Sequence, residues 1–174
     1  MICLASRLPI LQVGAYQISN YDTDWLLRAL RDGLEMADIP NPEVAQDVYE
    51  GVLYYLENDC PWKPLPIEKL YQKVASLLEK VGLGSARDCL PMYSPEIRIS
   101  VAAKLEKLEC HMEIALLKTL AEEVQSLHQY GVERVVFEEI KEAVYSLIPT
   151  KRWTKECQIL HDEIFSLQEL GVDA

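Results

Sequence analysis

Hydrophobic periodicity changes abruptly within residues 11–30, LQVGAYQISNYDTDWLLRAL. Leu11, Val13, Tyr16 and Ile18 alternate around Gly14-Ala15, the pattern of two short strands joined by a tight turn in which Gly14 takes a positive φ. Asp22, Thr23 or Asp24 then supplies a helix N-cap. Leu26, Leu30, Leu34 and Ala37 fall on one face at helical spacing. A hairpin running directly into an amphipathic helix limits the start of the chain to a small sheet packed against helices.

Prolines and glycines then divide the remainder into short helices. DIPNPE opens a second helix with the stripe Val44, Val48, Val52 and Tyr55 or Leu56. CPWKPLP ends it, and Ile67, Leu70, Val74, Leu77 and Val81 mark a third. GLGS stops that helix. Ser85 to Asp88 starts a short fourth, which Pro91 closes. The expected fold class is mainly α: an N-terminal β-hairpin plus a four-helix domain over 1–93, then a helical C-terminal domain over 94–174 with room for short strands.

Between 96 and 101 two patterns overlap. Ile97, Ile99 and Val101 alternate with polar residues as in a strand. Ile97, Val101, Leu105, Leu108 and Met112 also follow helical spacing after Ser94-Pro95-Glu96. The alternation favours a short strand, which would extend the hairpin into a small sheet and tie the two halves together. VERVVF is a second candidate strand, its partner the first. Lys104 to Tyr130 reads as one long helix capped by Gly131, Glu138 to Leu147 as another, and Thr150 as the opening of a last one. Trp153, Leu160, Ile164 and Leu167 line this last helix, and Gly171 stops it.

Charge narrows the classes of function. The formal net charge is -11, split -5 and -6 between residues 1–93 and 94–174. Such uniform acidity repels phosphate backbones and anionic membranes, so no nucleic-acid or membrane partner is expected. The five cysteines are scattered without a CxxC pair, which suits reduced thiols. Arg7 and Pro9 interrupt the apolar start MICLASRLPILQV, and no apolar run approaches a membrane span. The expectation is a cytoplasmic, soluble protein.

The first 93 residues resemble the ATP-cone, the nucleotide-sensing module of ribonucleotide reductases and of their transcriptional repressor. YDTDWLLRALRDGLEMADI is similar to the family's helix after the hairpin. PLPIEKLYQKVASLLEKVGLGSARDCL is similar to its stretch from third to fourth helix. The resemblance implies an ATP-cone fold and, in the family, ATP or dATP as ligand. The family's first strand and turn usually carry a Lys-Arg-Asp-Gly-like signature whose cations meet the phosphates. Here the aligned stretch is LPILQVGAYQIS, with only Gly14 retained and no Lys or Arg between Pro9 and Trp25. A triphosphate needs several fixed positive donors.

Two readings follow. One is a non-catalytic regulatory or protein-interaction protein on a degenerate ATP-cone-like domain, without cofactor, acting through a protein partner or self-association. The other is a nucleotide or small-anion binding regulatory protein whose cations come from Arg7, Arg28 and Lys69, with Lys63 and Lys73 as further candidates. Tyr54, Tyr55, Trp62 and Trp25 are candidate contact aromatics.

No constellation supports an enzyme. Cys157 and His161 are i, i+4, and with Cys110, His111 and Glu113 they could converge on a zinc ion, but helix-face packing is the simpler account and no metal is expected. Glu106, Glu109 and Glu113 read as a solvated face, since no Glu-x-x-His accompanies them. GLGS lacks the Gly-Lys-Ser/Thr ending of a phosphate loop.

Overall fold

The computed structural model describes residues 7–39 and 41–170. The protein is mainly α, with five short strands among the described residues. Its contacts divide it into two compact units, one ending at Pro95 and the other beginning at Glu96.

In the first unit, β1 (Leu11–Val13) and β2 (Tyr16–Ile18) form the hairpin, with Leu11 opposite Ile18 and Val13 opposite Tyr16. Gly14 supplies the turn at φ +56°. The helices α1 (Asp24–Met36) and α2 (Pro42–Asn58) follow. Next come a two-residue strand β3 (Leu65–Pro66), α3 (Ile67–Lys80) and the single-turn α4 (Gly84–Asp88). β3 pairs parallel to β1, so the sheet is mixed with order β2-β1-β3 and β1 at its centre. Leu11, Val13, Leu26, Leu30, Val74 and Leu78 are buried together with the inner faces of the helices. Gly33 allows α1 to come close to the end of α4: a Cβ there would lie 3.2 Å from the Leu90 Cα.

Helix starts are locally encoded. Asn41 Oδ1 accepts from the Glu43 and Val44 amides at 3.0 and 3.4 Å, and Pro42 occupies the first turn, where its missing N–H costs nothing. Asn41→Ala is expected to lower the stability of the first unit by about 0.5–2 kcal/mol, read from urea denaturation. At α1, Thr23 is the N-cap residue, but its hydroxyl bonds the Tyr49 hydroxyl of α2 rather than the helix amides. The Asp24 amide bonds Asp22 Oδ1 at 3.2 Å.

The second unit contains β4 (Ile97–Ser100), α5 (Val101–Lys107), α6 (Glu113–His128) and β5 (Val135–Glu138). These are followed by α7 (Ile140–Leu147), α8 (Lys155–Ser166) and a 3-10 turn at Leu167–Glu169. β4 is a strand, pairing parallel with β5 from Ile97 opposite Val135 to Ser100 opposite Glu138. The two form their own sheet rather than extending the hairpin sheet. A parallel pair needs a long crossover, and α5 with α6 provides it.

The expected single helix from Lys104 to Tyr130 is broken. Leu108 and Met112 are extended, with ψ 132° and 141°. Lys104 of α5 forms an ion pair with Glu123 of α6. Nineteen residues along an unbroken helix would hold them about 28 Å apart, so the chain folds back between them. The stripe concealed this. Leu105 and Leu116 are eleven residues apart, about three turns, so the buried positions stay in phase across the break. The last helix begins later than Thr150. Thr154 caps it, its hydroxyl accepting from the Cys157 amide at 3.3 Å, and Thr150 closes a separate turn with Arg152. Gly131 does end α6, at φ +74°; the stop expected at Gly171 lies outside the described residues.

Candidate functional site

In the first unit an apolar groove and two lysine–aromatic contacts lie along α2 and α3. On a helix, residues four apart stack along one face. The α2 row is Val44, Val48, Gly51 and Tyr55; the α3 row is Lys69, Lys73, Leu77 and Val81. Val44, Val48 and Gly51 line one groove with Leu77, Val81 and Leu83, while the Lys73 Nζ lies 4.5 Å from the centre of the Tyr55 ring. The two rows therefore run antiparallel and make one seam, apolar at one end and cationic-aromatic at the other.

The apolar end encloses about 410 Å³, with Asp47 as its one charged lining residue. Val81 is 60% exposed there. Gly51 keeps the groove open: a Cβ on it would meet no heavy atom within 4 Å. A mid-helix glycine costs roughly 0.5–1 kcal/mol relative to alanine, and no close packing at this position explains it.

At the other end the Lys69 Nζ lies 5.7 Å from the centre of the Trp62 ring, and Trp62 is 45% exposed. Tyr55 is adjacent to Cys60 and Asp59. Burial first, and then Cys60, push its phenol pKa upward. Tyr21 behaves alike: burial, reinforced by Cys60, pushes it up to about 12. Its hydroxyl donates to the Pro9 carbonyl at 2.7 Å. Both phenols keep their protons at neutral pH.

The candidate cations do not converge. Lys69 and Lys73 share a face of α3. Arg28 belongs to a different one: its guanidinium stacks 4.6 Å from the Tyr93 ring, and Tyr93 is held by Tyr71. Tyr71 is two residues from each lysine, roughly 160–200° around α3, and is buried where Lys69 is exposed. Arg7 is exposed and forms no ion pair with a described residue, and Lys63 is exposed in the stretch before β3. Among the contact aromatics, Trp25 is core at 5% exposure, its indole N–H donating to the Asp22 carbonyl at 2.8 Å, while Tyr54 is 65% exposed.

In the second unit Cys157 is buried and takes the Thr154 hydroxyl at 3.3 Å; Cys110 is exposed. Among the described residues no group of three His, Cys, Asp or Glu could hold a metal ion. His161 is placed instead in an aromatic row, 5.9 Å from Trp153 and 6.4 Å from Phe165, with Tyr145 5.4 Å beyond Trp153. The i, i+4 spacing of His161 and Phe165 is readable in the sequence. The approach of Tyr145, from another helix, is not. No described helix is long and apolar enough to cross a membrane.

Neither family models, nor curated proteins, nor solved structures provide a significant match to this chain.

Proposed function

We infer that this is a non-catalytic regulatory protein-interaction protein: its first unit is a degenerate ATP-cone-like domain, and the α2/α3 seam is its docking surface. The carrying observation is that seam, an open apolar groove continuous with exposed Trp62 and paired lysines. Exposed apolar surface with aromatic anchors is how contact surfaces differ from ordinary ones. The order hairpin, two helices, strand, helix, short helix supports the ATP-cone-like reading. Separation of Arg28 from Lys69 and Lys73 supports the loss of triphosphate binding.

Two measurements test this. ATP or dATP in large excess is expected to leave the melting temperature within about 1 °C; a ligand at a hundred times its Kd would raise it by about 5 °C or more. A photo-crosslinker at Val48 is expected to join the protein to a discrete partner in its own cells. Gly51→Phe, whose ring enters open space, is expected to abolish that adduct while leaving the fold intact. No adduct, or one indifferent to Gly51→Phe, overturns the docking role. The lysine-aromatic corner favours one second reading, a nucleotide or small-anion site. A nucleotide-induced rise in melting temperature that Lys69→Ala and Lys73→Ala remove would establish it.

A further inference from the structure

The second unit carries a groove of a different kind, independent of the seam. It is lined by Glu113 at the start of α6, by Leu147 at the end of α7 with Ile148 and Pro149 after it, and by one face of α8. Its volume is about 490 Å³. The α8 face is ordered: Glu156, Ile159, Leu160 and Glu163 stand at i, i+3, i+4 and i+7, so an apolar centre lies between two carboxylates about 10 Å apart along the axis. Leu160 is the buried floor, and Ile159 is 50% exposed above it. Ile114, next to Glu113 in the chain, is 74% exposed. None of Glu113, Glu156 and Glu163 has an ion-pair partner among the described residues, and no cation lines the groove. Unlike the Glu123 carboxylate, which Lys104 neutralises, these three have their charge uncompensated around an apolar surface.

We propose that this groove receives an amphipathic helix of a partner protein, with two apolar anchors flanked by Lys or Arg at i and i+7. Such a helix mirrors the α8 pattern: its anchors cover Ile159 and Leu160, and its cations meet Glu156 and Glu163, with Glu113 opposite. The charge pattern selects this occupant. A second copy of the chain would bring an acidic surface, 28 Asp and Glu against 17 Lys and Arg, to an acidic rim.

The probe is a fluorescent, end-capped helical peptide built on Lys-x-x-Leu-Leu-x-x-Lys, titrated into the full-length protein by anisotropy. Its control has the same composition, with the lysines moved to the opposite helix face. The patterned peptide is expected to bind at least about five-fold tighter than the control, as two exposed ion pairs suggest. The preference is expected to weaken when salt rises to roughly 0.5 M. Glu113→Gln/Glu156→Gln/Glu163→Gln is expected to erase the preference. Glu35→Gln/Glu57→Gln/Glu68→Gln, which changes net charge equally but in the first unit, is expected to leave it intact. Ile159→Asp is expected to remove binding without altering the circular dichroism melt, since Ile159 is half exposed. Equal binding of both peptides, or equal losses from the two triple variants, would show only general attraction to an acidic protein and overturns the proposal. A dimer in light scattering that Ile159→Asp dissolves would assign the groove to a second copy and overturns it likewise.

Discussion

Leu11→Lys is expected to destabilise the first unit by roughly 5 kcal/mol or more at neutral pH, whereas Gln12→Lys, one residue away, is expected to change stability by less than about 1 kcal/mol. Leu11 is fully buried on β1, the central strand, with β2 on one side and β3 on the other. A lysine there must lose its proton in the folded state. Bringing its pKa from about 10.4 to below 7 costs roughly 5 kcal/mol, beyond the lost apolar contact. Gln12 points to the other face of the strand and is only half-buried, its side-chain amide donating to the Gly14 carbonyl at 3.3 Å. The sign of the pH dependence follows. The introduced lysine has its folded pKa depressed below the unfolded one, so its destabilisation is complete only below the folded pKa and is still several kcal/mol at neutral pH. It shrinks as pH rises toward 10, where the unfolded lysine also becomes neutral. Urea midpoints of Leu11→Lys relative to Leu11→Met, measured between pH 7 and 10, are expected to converge as pH rises. A variant as stable as Leu11→Met at pH 7 would show that β1 is not core.

This alternation also explains why missing cations in LPILQVGAYQIS were visible and their meaning was not. The sequence shows Leu, Gln and Val where the family resemblance implies basic residues. The structure shows that two of these three positions face the core and only Gln12 is open to substitution by a cation. Local signals carried most of the fold: the hairpin period, Asn41-Pro42, and Gly131 each act within a few residues of themselves. What was illegible depended on chain segments meeting at a distance. The break at Leu108–Met112 contains neither proline nor glycine, and the stripe stays in phase through it. The groove at Gly51 exists because α2 and α3 run antiparallel in one register, and the carboxylates of the second unit gather from two helices. Residue type alone makes Trp25 a candidate contact aromatic, whereas a helix-opening position suits a core edge; burial beside Tyr71, 6.4 Å away, makes it core.

The same distant contacts decide what Arg28 does, and Tyr71→Phe tests it. The Tyr71 hydroxyl donates to the Tyr93 carbonyl and accepts from the Tyr93 amide, both at 2.7 Å. Tyr93 in turn donates its hydroxyl to Asp32 Oδ2 at 2.7 Å and lies under Arg28, with Asp32 and Arg28 i, i+4 on α1. One buried phenol thus pins the segment after α4 to α3, while the Tyr93 ring ties it to α1. Tyr71→Phe keeps the ring beside Trp25 but strips both backbone partners from Tyr93. Each unmade bond at a half-buried site costs about 1–3 kcal/mol, reduced where water replaces it. The expected loss is about 2 kcal/mol, read from urea unfolding followed through Trp25 after replacement of Trp62 and Trp153 by Phe. Tyr93→Phe removes the part-buried hydroxyl bond to Asp32 and is expected to cost about 1 kcal/mol. Arg28→Ala in that background is expected to cost a further ~0.5–1 kcal/mol, because Tyr93→Phe keeps the ring face on which the guanidinium stacks. If Arg28→Ala instead left stability unchanged in the wild-type chain and altered the response to ATP, Arg28 would be a ligand group and not part of this clamp.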